Sequence, residues 1–401
     1  MASSLTSASR QRRLNLAVAI AVLGMLAMLA IAAILGPARL VAGDGHYVFA
    51  AARSLAYDGD LDLTNQYWVM GDRWGLGRDP TIDRWRLPPR EIGPSLLMVP
   101  GLWLHMSVGA SAVWEPAFAC LGAAASLGLC WLGCVRTIEA GALGISSVRA
   151  ELLAGAAVFG FVVPYYAVGS SGYPHALDAA IGAWLVWALV ARKHAVVVGG
   201  LLACAVLTRM QNALWLLWPI AELVLARVSL VELRRVGVIA VVGALGFVPQ
   251  LWLGLEHPGS ERGAIGWTLA FFNFEDYPRD LVRVLFGAHG LVRWTPIAAL
   301  GLIGLGLDSR RGRTLAVVGG LWLLLASVRD VDGGDAFGAR RMAGIVGLLA
   351  LGLARVDGEI RARRVVMIGL GVLVAINVAL TGLAIAGRVS LASPEPVRGP
   401  R

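Results

Sequence analysis

Asp44 stands just past the first apolar run of the chain, in Gly43-Asp44-Gly45-His46-Tyr47, and a polar stretch continues from it through Arg53 to Asp58-Gly59-Asp60-Leu61-Asp62. Further on, His175 and Asp178 share one helix face at i, i+3 where an apolar run begins, and Arg209 and Asn212 repeat that spacing. Arg340 and Arg341 end a third polar stretch, 329–341. An ionisable group at such a depth in an apolar chain faces a cavity or a partner rather than lipid. Arginine in a cavity suits a phosphate, because its planar fork donates two parallel hydrogen bonds. The chemistry on offer is thus recognition of an anion by arginine, with carboxylates close by.

The elements that must hold these residues are set by composition. The chain has 401 residues, 57% of them hydrophobic and 15% charged, with a mean hydropathy of +0.70. A soluble domain carries about 25% charged residues. These values predict an all-α polytopic integral membrane protein; the apolar runs are long and do not alternate, which excludes a β-barrel. The net charge of +9 is nearly all arginine, Lys193 being the one lysine. Those arginines are scattered over short loops rather than gathered in a patch, so nucleic acid is not an expected partner. Cys120, Cys130, Cys134 and Cys204 lie in apolar runs and read as small buried hydrophobes. No ligand spacing marks a metal site and no cofactor is expected, although the acids carry the charge that a divalent cation requires.

Charge also orders the chain across the membrane. Residues 1–13 form a polar tail ending in Arg10, Arg12 and Arg13, and 14–36 is too long an apolar run for a cleaved signal, so it reads as a first span with a cytoplasmic N-terminus. Residues 37–112 form an outward segment. In it His46–Tyr57 has helical spacing, with Asp44 in the N-cap position and Gly59 just past the end, and 61–70 reads as extended. The run 92–110, interrupted by Pro94, Pro100 and Gly101, reads as a span, a helix lying at the outer surface or a re-entrant hairpin, and loop charge favours the arrangement in which it does not span. With 92–110 kept out of the count, the later runs place five basic loops on the cytoplasmic side: Arg136 and Arg149; Arg192 and Lys193; Arg227, Arg234 and Arg235; Arg310, Arg311 and Arg313; and Arg355, Arg361, Arg363 and Arg364. The expected architecture is about eleven spans plus one interfacial helix. The bundle occupies 113–387, with outward loops 255–295 and 329–341 and a C-terminal tail 388–401. Asp44, His175, Asp178, Arg209, His289, Arg340 and Arg341 then gather on the outer side.

A first span, an Asp-bearing loop, an interfacial helix and about eleven spans resemble the GT-C superfamily of membrane glycosyltransferases, which includes protein O-mannosyltransferases and aminoarabinose transferases of lipid A. The stretches that carry the likeness are GDGHYVFAA with Arg53-Ser54 after it (43–54), DGDLDLTNQY (58–67), IGPSLLMVP (92–100), HGLVRWTP (289–296) and GGDAFGARR (333–341). The resemblance implies a bacterial inner- or cell-membrane enzyme with its site facing outward. Such an enzyme moves a sugar from a polyprenyl-phosphate donor to a lipid, glycan or protein acceptor, with inversion. It implies Asp44 as general base, and the arginine chemistry then makes Arg209, Arg340 and Arg341 the donor-phosphate contacts. His46, Asp60, His175, Asp178 and His289 are the candidate substrate contacts. The family's acid is often followed by a glutamate; here the second position is Gly45.

Each assignment has a plainer counterpart. Asp44 can be an N-cap, Asp58, Asp60 and Asp62 can shape a turn around Gly59, and the histidines can be satisfied interfacial groups. Arg209 can pair with Asp178 or Glu275, and Arg340 and Arg341 can anchor a helix end at the headgroups. Trp68, Trp74, Trp85 and Trp103 can stack on a sugar or sit in the interface, and Asn377 reads as a link between helices. A lipid or glycan transporter or flippase also needs a polar cavity, but its site lies at the midplane rather than on one side. A catalytically inactive relative that binds a lipid-linked glycan is the third reading, and Gly45 is its motive.

Overall fold

The computed structural model describes residues 7–71, 90–141, 144–225, 229–256, 272, 274–328, 330–331, 336–360 and 363–391. Trp74, Trp85, His257, Glu261, Arg262, Asn273 and the stretch 332–335 lie outside the described residues.

All regular structure among the described residues is helical: α1 (Ser7–Leu35), α2 (Gly45–Arg53), α3 (Thr64–Met70), α4 (Gly93–Val108), α5 (Glu115–Ala119), α6 (Leu121–Ala140), α7 (Ser147–Phe159), α8 (His175–Val190), α9 (Ala195–Thr208), α10 (Leu217–Leu225), α11 (Leu230–Ala244), α12 (Val248–Glu256), α13 (Tyr277–Phe286), α14 (Leu291–Trp294), α15 (Ile297–Leu307), α16 (Arg311–Ala326), α17 (Val346–Glu359) and α18 (Arg363–Ile385). The centre is made by α6, α8 and α17, with α1, α7, α9 and α15 packed around them. Every residue of α17 from Val346 to Ala354 is buried, so this helix is apolar all round because it is covered all round.

Among the described residues three helical stretches are long and apolar enough to cross a membrane, Ser7–Leu35, Ala112–Ala140 and Arg364–Ile385, and a fourth arises if Tyr277–Trp294 and Ile297–Leu307, bent by 103°, are one broken span. This is fewer than the eleven expected. The apolar runs are interrupted where composition does not show it. The apolar stretch 150–168 stops being α-helical at Phe159 and resumes as a π turn, Tyr165–Gly169. The run at 210–226 begins as a 3-10 helix, Met210–Leu216.

Local expectations fared unevenly. The tail 1–13 is helical from Ser7, and Arg13 is fully buried rather than solvated. The stretch 61–70 is not extended: Asp62 Oδ1 accepts from Thr64 N at 2.9 Å, an Asx turn that starts α3. The run 92–110 is one helix, not a hairpin; α4 continues through Pro100 and stops at Gly109, whose φ is +61°. Cys204 is exposed, unlike the other three cysteines. Asn377 does join helices, donating to the carbonyls of Phe159 at 2.9 Å and Phe161 at 2.7 Å.

Ion pairs knit one end of the bundle. Arg12 and Arg13 on α1 pair with Glu151, and Arg13 also with Glu139. Arg149 pairs with Asp357 at 2.9 Å, Arg355 with Asp308 at 2.6 Å, and Arg313 with Glu222 at 3.4 Å. Arg192 reaches both Glu222 and Glu232. Four of the five basic loops contribute an arginine to this network and the fifth contributes Glu232. From Arg13 to Leu35, α1 rises about 33 Å at 1.5 Å per residue, roughly the thickness of a hydrocarbon core. Asp44 lies beyond its far end. α8 and α17 likewise run from His175 and Arg341 at that far end toward Arg192 and Asp357.

Candidate functional site

Asp44 is placed by a backbone crossing. Gly172 N donates to Leu40 O at 2.8 Å, which ties the loop before α8 beneath the loop before α2. A Cβ on Gly45 would sit 3.0 Å from Gly172 Cα, closer than side chains normally approach a backbone. Glycine at position 45 therefore suits the crossing, because a side chain there would push the Gly172 backbone back by a few tenths of an ångström. Asp44 N donates to the Tyr173 hydroxyl at 3.3 Å, which fixes the acid against the same loop.

The carboxylate does not cap α2. Asp44 occupies the N-cap position with no side-chain hydrogen bond to the helix. Its Oδ1 instead accepts from Arg90 Nη2 at 2.6 Å, and its Oδ2 lies 3.7 Å from Arg340 Nη2. Burial opposes ionisation of Asp44, but the charges of Arg90, Arg340 and Arg341 outweigh it, so the carboxyl titrates below its ordinary value.

Around this pair the two i, i+3 faces interlock. Arg209 Nη1 donates to His175 Nδ1 at 2.8 Å, and Asn212 Nδ2 donates to Asp178 Oδ1 at 2.7 Å. Arg209 also reaches Gln211 Oε1 at 3.1 Å, and Gln211 Nε2 donates to the Arg341 carbonyl at 2.6 Å. Glu91 accepts from Met210 N at 3.2 Å. Arg341 pairs with Asp330, and burial, with Arg340 and Arg209 close by, pushes it down to about 10 against the pull of Asp330. The Arg340 guanidinium lies over the Tyr173 ring, 4.9 Å from its centroid. Its Nε and Nη1 are buried and have no hydrogen-bond partner among the described residues. Gly344 lets Asp178 lie alongside, since a Cβ there would be 3.1 Å from Asp178 Oδ1.

The structure thus brings together Asp44, His175, Asp178, Arg209, Arg340 and Arg341. It places three other candidates elsewhere. His46 Nε2 contacts Gly71 O at 2.7 Å, at the end of α3. Asp60 accepts from Ser54 Oγ at 2.7 Å and Asp62 N at 3.1 Å, closing the turn after Gly59, and is scaffolding. His289 packs edge-on to Trp294, from which rings lead through Phe337, Tyr165 and Tyr166 to His175. Trp68 is 82% exposed, and the Trp103 indole donates to Ala56 O at 3.4 Å. Arg209 takes His175 and Gln211 as its hydrogen-bond partners, and of the two acids weighed as its partner Asp178 acts on it through charge rather than through a hydrogen bond. Sequence reasoning passed over Arg90, Glu91 and Tyr173; the one signal for the first two was a charged dyad directly before an apolar helix. Among the described residues no three His, Cys, Asp or Glu side chains cluster as metal ligands would. No known family, curated protein or solved structure compared with this chain matches it.

Proposed function

We propose that this chain is an inverting membrane glycosyltransferase of the GT-C kind, built on about eleven spans, with its N-terminus in the cytoplasm and its site outward. It takes a sugar from a polyprenyl-phosphate donor in a bacterial cell membrane and passes it to a lipid, glycan or protein acceptor. Asp44 is the general base, and Arg90, Arg209, Arg340 and Arg341 hold the donor phosphate.

One observation carries this reading: four arginines from three distant segments converge with one partly exposed carboxylate at one end of a helical bundle. Displacement at an anomeric carbon needs a base for the acceptor hydroxyl and fixed positive charge where the phosphate leaves. Phosphate is a good leaving group, so no general acid is required. The place of the cluster at one end, away from the middle of α1, α8 and α17, favours a transferase over a transporter. The glycine crossing gives Gly45 a packing reason, so glycine at this position does not by itself point to an inactive relative.

The test is turnover. Purified protein in lipid is incubated with a set of polyprenyl-phosphate sugars and acceptors, and released polyprenyl phosphate is measured. Asp44→Asn is expected to lower release about 100-fold or more, the lower end of what a positioned base contributes. Turnover retained by Asp44→Asn removes Asp44 as base. Transport of the intact donor without release of polyprenyl phosphate favours a flippase.

A further inference from the structure

Both oxygens of Asp44 face arginine, Oδ1 at 2.6 Å from Arg90 and Oδ2 at 3.7 Å from Arg340. A base needs a lone pair aimed at the proton it takes. A carboxylate held between two guanidiniums is instead placed as their counter-ion, and its affinity for a proton is lowered. The site as arranged is that of an anion held in place rather than of a base at work.

Arg340 supplies the second half of the argument. Its side chain is 9% exposed. Only Nη2 faces Asp44, at ion-pair rather than hydrogen-bond distance, while Nε and Nη1 are buried without a partner among the described residues. Leaving charged donors buried and unmet is unfavourable. A phosphate oxygen pair can accept from Nε and an Nη in parallel, which one distant carboxylate oxygen does not do. Arg209 and Arg341 are differently placed. Arg209 is engaged by His175 and Gln211, and Arg341 by Asp330, so they supply fixed charge rather than an open fork.

We infer that Asp44 and the donor phosphate compete for Arg90 and Arg340, so that donor binding frees the carboxylate and must precede proton removal from the acceptor. The inference rests on the transferase reading above and assigns Arg90, on the edge of α4, a part in both states. With the guanidiniums turned to the phosphodiester, the acceptor hydroxyl gives its proton to Asp44. Its oxygen forms a bond to the anomeric carbon, and the bond from that carbon to the phosphate oxygen breaks with its electron pair on that oxygen. Polyprenyl phosphate leaves with one more negative charge than the diester had, and the proton on Asp44 passes to solvent. The return of Asp44 to Arg90 and Arg340 then helps to expel the product.

An internal competitor lowers apparent affinity by the fraction of time that it fills the site. Binding of undecaprenyl phosphate, the leaving group itself, is therefore measured in nanodiscs of zwitterionic lipid for the unaltered protein, Asp44→Asn, Arg90→Gln and Arg340→Gln. Asp330→Asn serves as a control that removes the same charge from beside Arg341. The unfolding midpoint of each variant is recorded alongside. Asp44→Asn is expected to bind about fivefold or more tightly, Arg90→Gln and Arg340→Gln more weakly, and Asp330→Asn with a smaller change than Asp44→Asn. Unchanged or weaker binding by Asp44→Asn, with both arginine variants weakened, overturns the competition and leaves the transferase reading standing. An equal gain in Asp44→Asn and Asp330→Asn also overturns it, because net charge alone then explains the effect. Binding indifferent to Arg90 and Arg340 overturns the donor-phosphate reading itself, and the competition with it.

Discussion

At the scale of single residues, Asp44 owes its character to its neighbours. Because the Arg90 and Arg340 charges hold its carboxyl below the ordinary value of 3.8, its pairing favours the folded state at all pH values above that figure. That contribution fades as pH falls through the folded-state value, where the acid becomes protonated. Asp44→Asn is thus expected to unfold at a lower temperature than the parent at pH 7, and the gap should close only as pH falls below 3.8; a gap that widens on acidification would contradict the pairing. Gly45 makes the second case. Placing a second acid beside Asp44, by Gly45→Glu, presses a Cβ to 3.0 Å from Gly172 Cα. The expected result is a loss of about 1–3 kcal/mol in stability, the usual cost of overpacking, with no gain in transfer. Stability and turnover measured on the same preparation decide this. The site was legible at this scale where charge is rare: in so apolar a chain, Asp44, Asp178, Arg209, Arg340 and Arg341 stand out. Arg90 was not legible, because it ends a loop that also holds Arg73, Arg78, Arg84 and Arg86. Only the apolar helix that follows the Arg90-Glu91 dyad sets it apart from them.

At the scale of elements, the site is built from helix beginnings and breaks. Arg209 precedes a 3-10 helix, Arg340 and Arg341 open another, and His175 and Asp178 occupy the first turn of α8. Hydropathy located the helices but not these breaks, since a 3-10 or π turn needs no polar residue and leaves the apolar run intact. The i, i+3 faces were readable from spacing; that they pair as Arg209 with His175 and Asn212 with Asp178 is a matter of tertiary approach. Gly344 sets that approach. A methyl there would be 3.1 Å from Asp178 Oδ1, so Gly344→Ala is expected to displace Asp178 and Asn212, lower stability by about 1–3 kcal/mol and weaken donor binding through Arg209. Gly371→Ala on α18 is the control. No atom lies within 4 Å of its added methyl, and it is expected to stabilise by about 0.5–1 kcal/mol. Thermal unfolding of the two variants, with phosphate-lipid binding for the first, checks both outcomes.

At the scale of the whole molecule, arginine is used in two ways at the two ends. Arginines from the loops that charge counting grouped together meet acids from other helices at one end of the bundle, Arg149 with Asp357, Arg355 with Asp308, and Arg192 and Arg313 with Glu222; counting did not show these partners. Arg13 is 0% exposed and its donors are met by Glu139, Glu151 and Ser147. Arg340, 7% exposed, keeps Nε and Nη1 unmet among the described residues. Burial is nearly equal, so burial does not separate the two; hydrogen-bond satisfaction does. A satisfied buried arginine is held for structure, because removing it takes the buried partner from Glu151 and Glu139 and leaves them only Arg12 and Arg136 as ion-pair partners. Arg340 has the Tyr173 ring and one distant Asp44 oxygen beside it but two donors unmet, so its removal breaks no close hydrogen bond among the described residues. Arg13→Ala is therefore expected to fold poorly or unfold many degrees earlier, while any protein that does fold binds polyprenyl phosphate as the parent does. Arg340→Gln should keep most of the parent's stability and lose most of its affinity for that lipid. The two measurements, unfolding midpoint and lipid binding, are made on both variants, and the roles are separated only if each variant fails the test that the other passes.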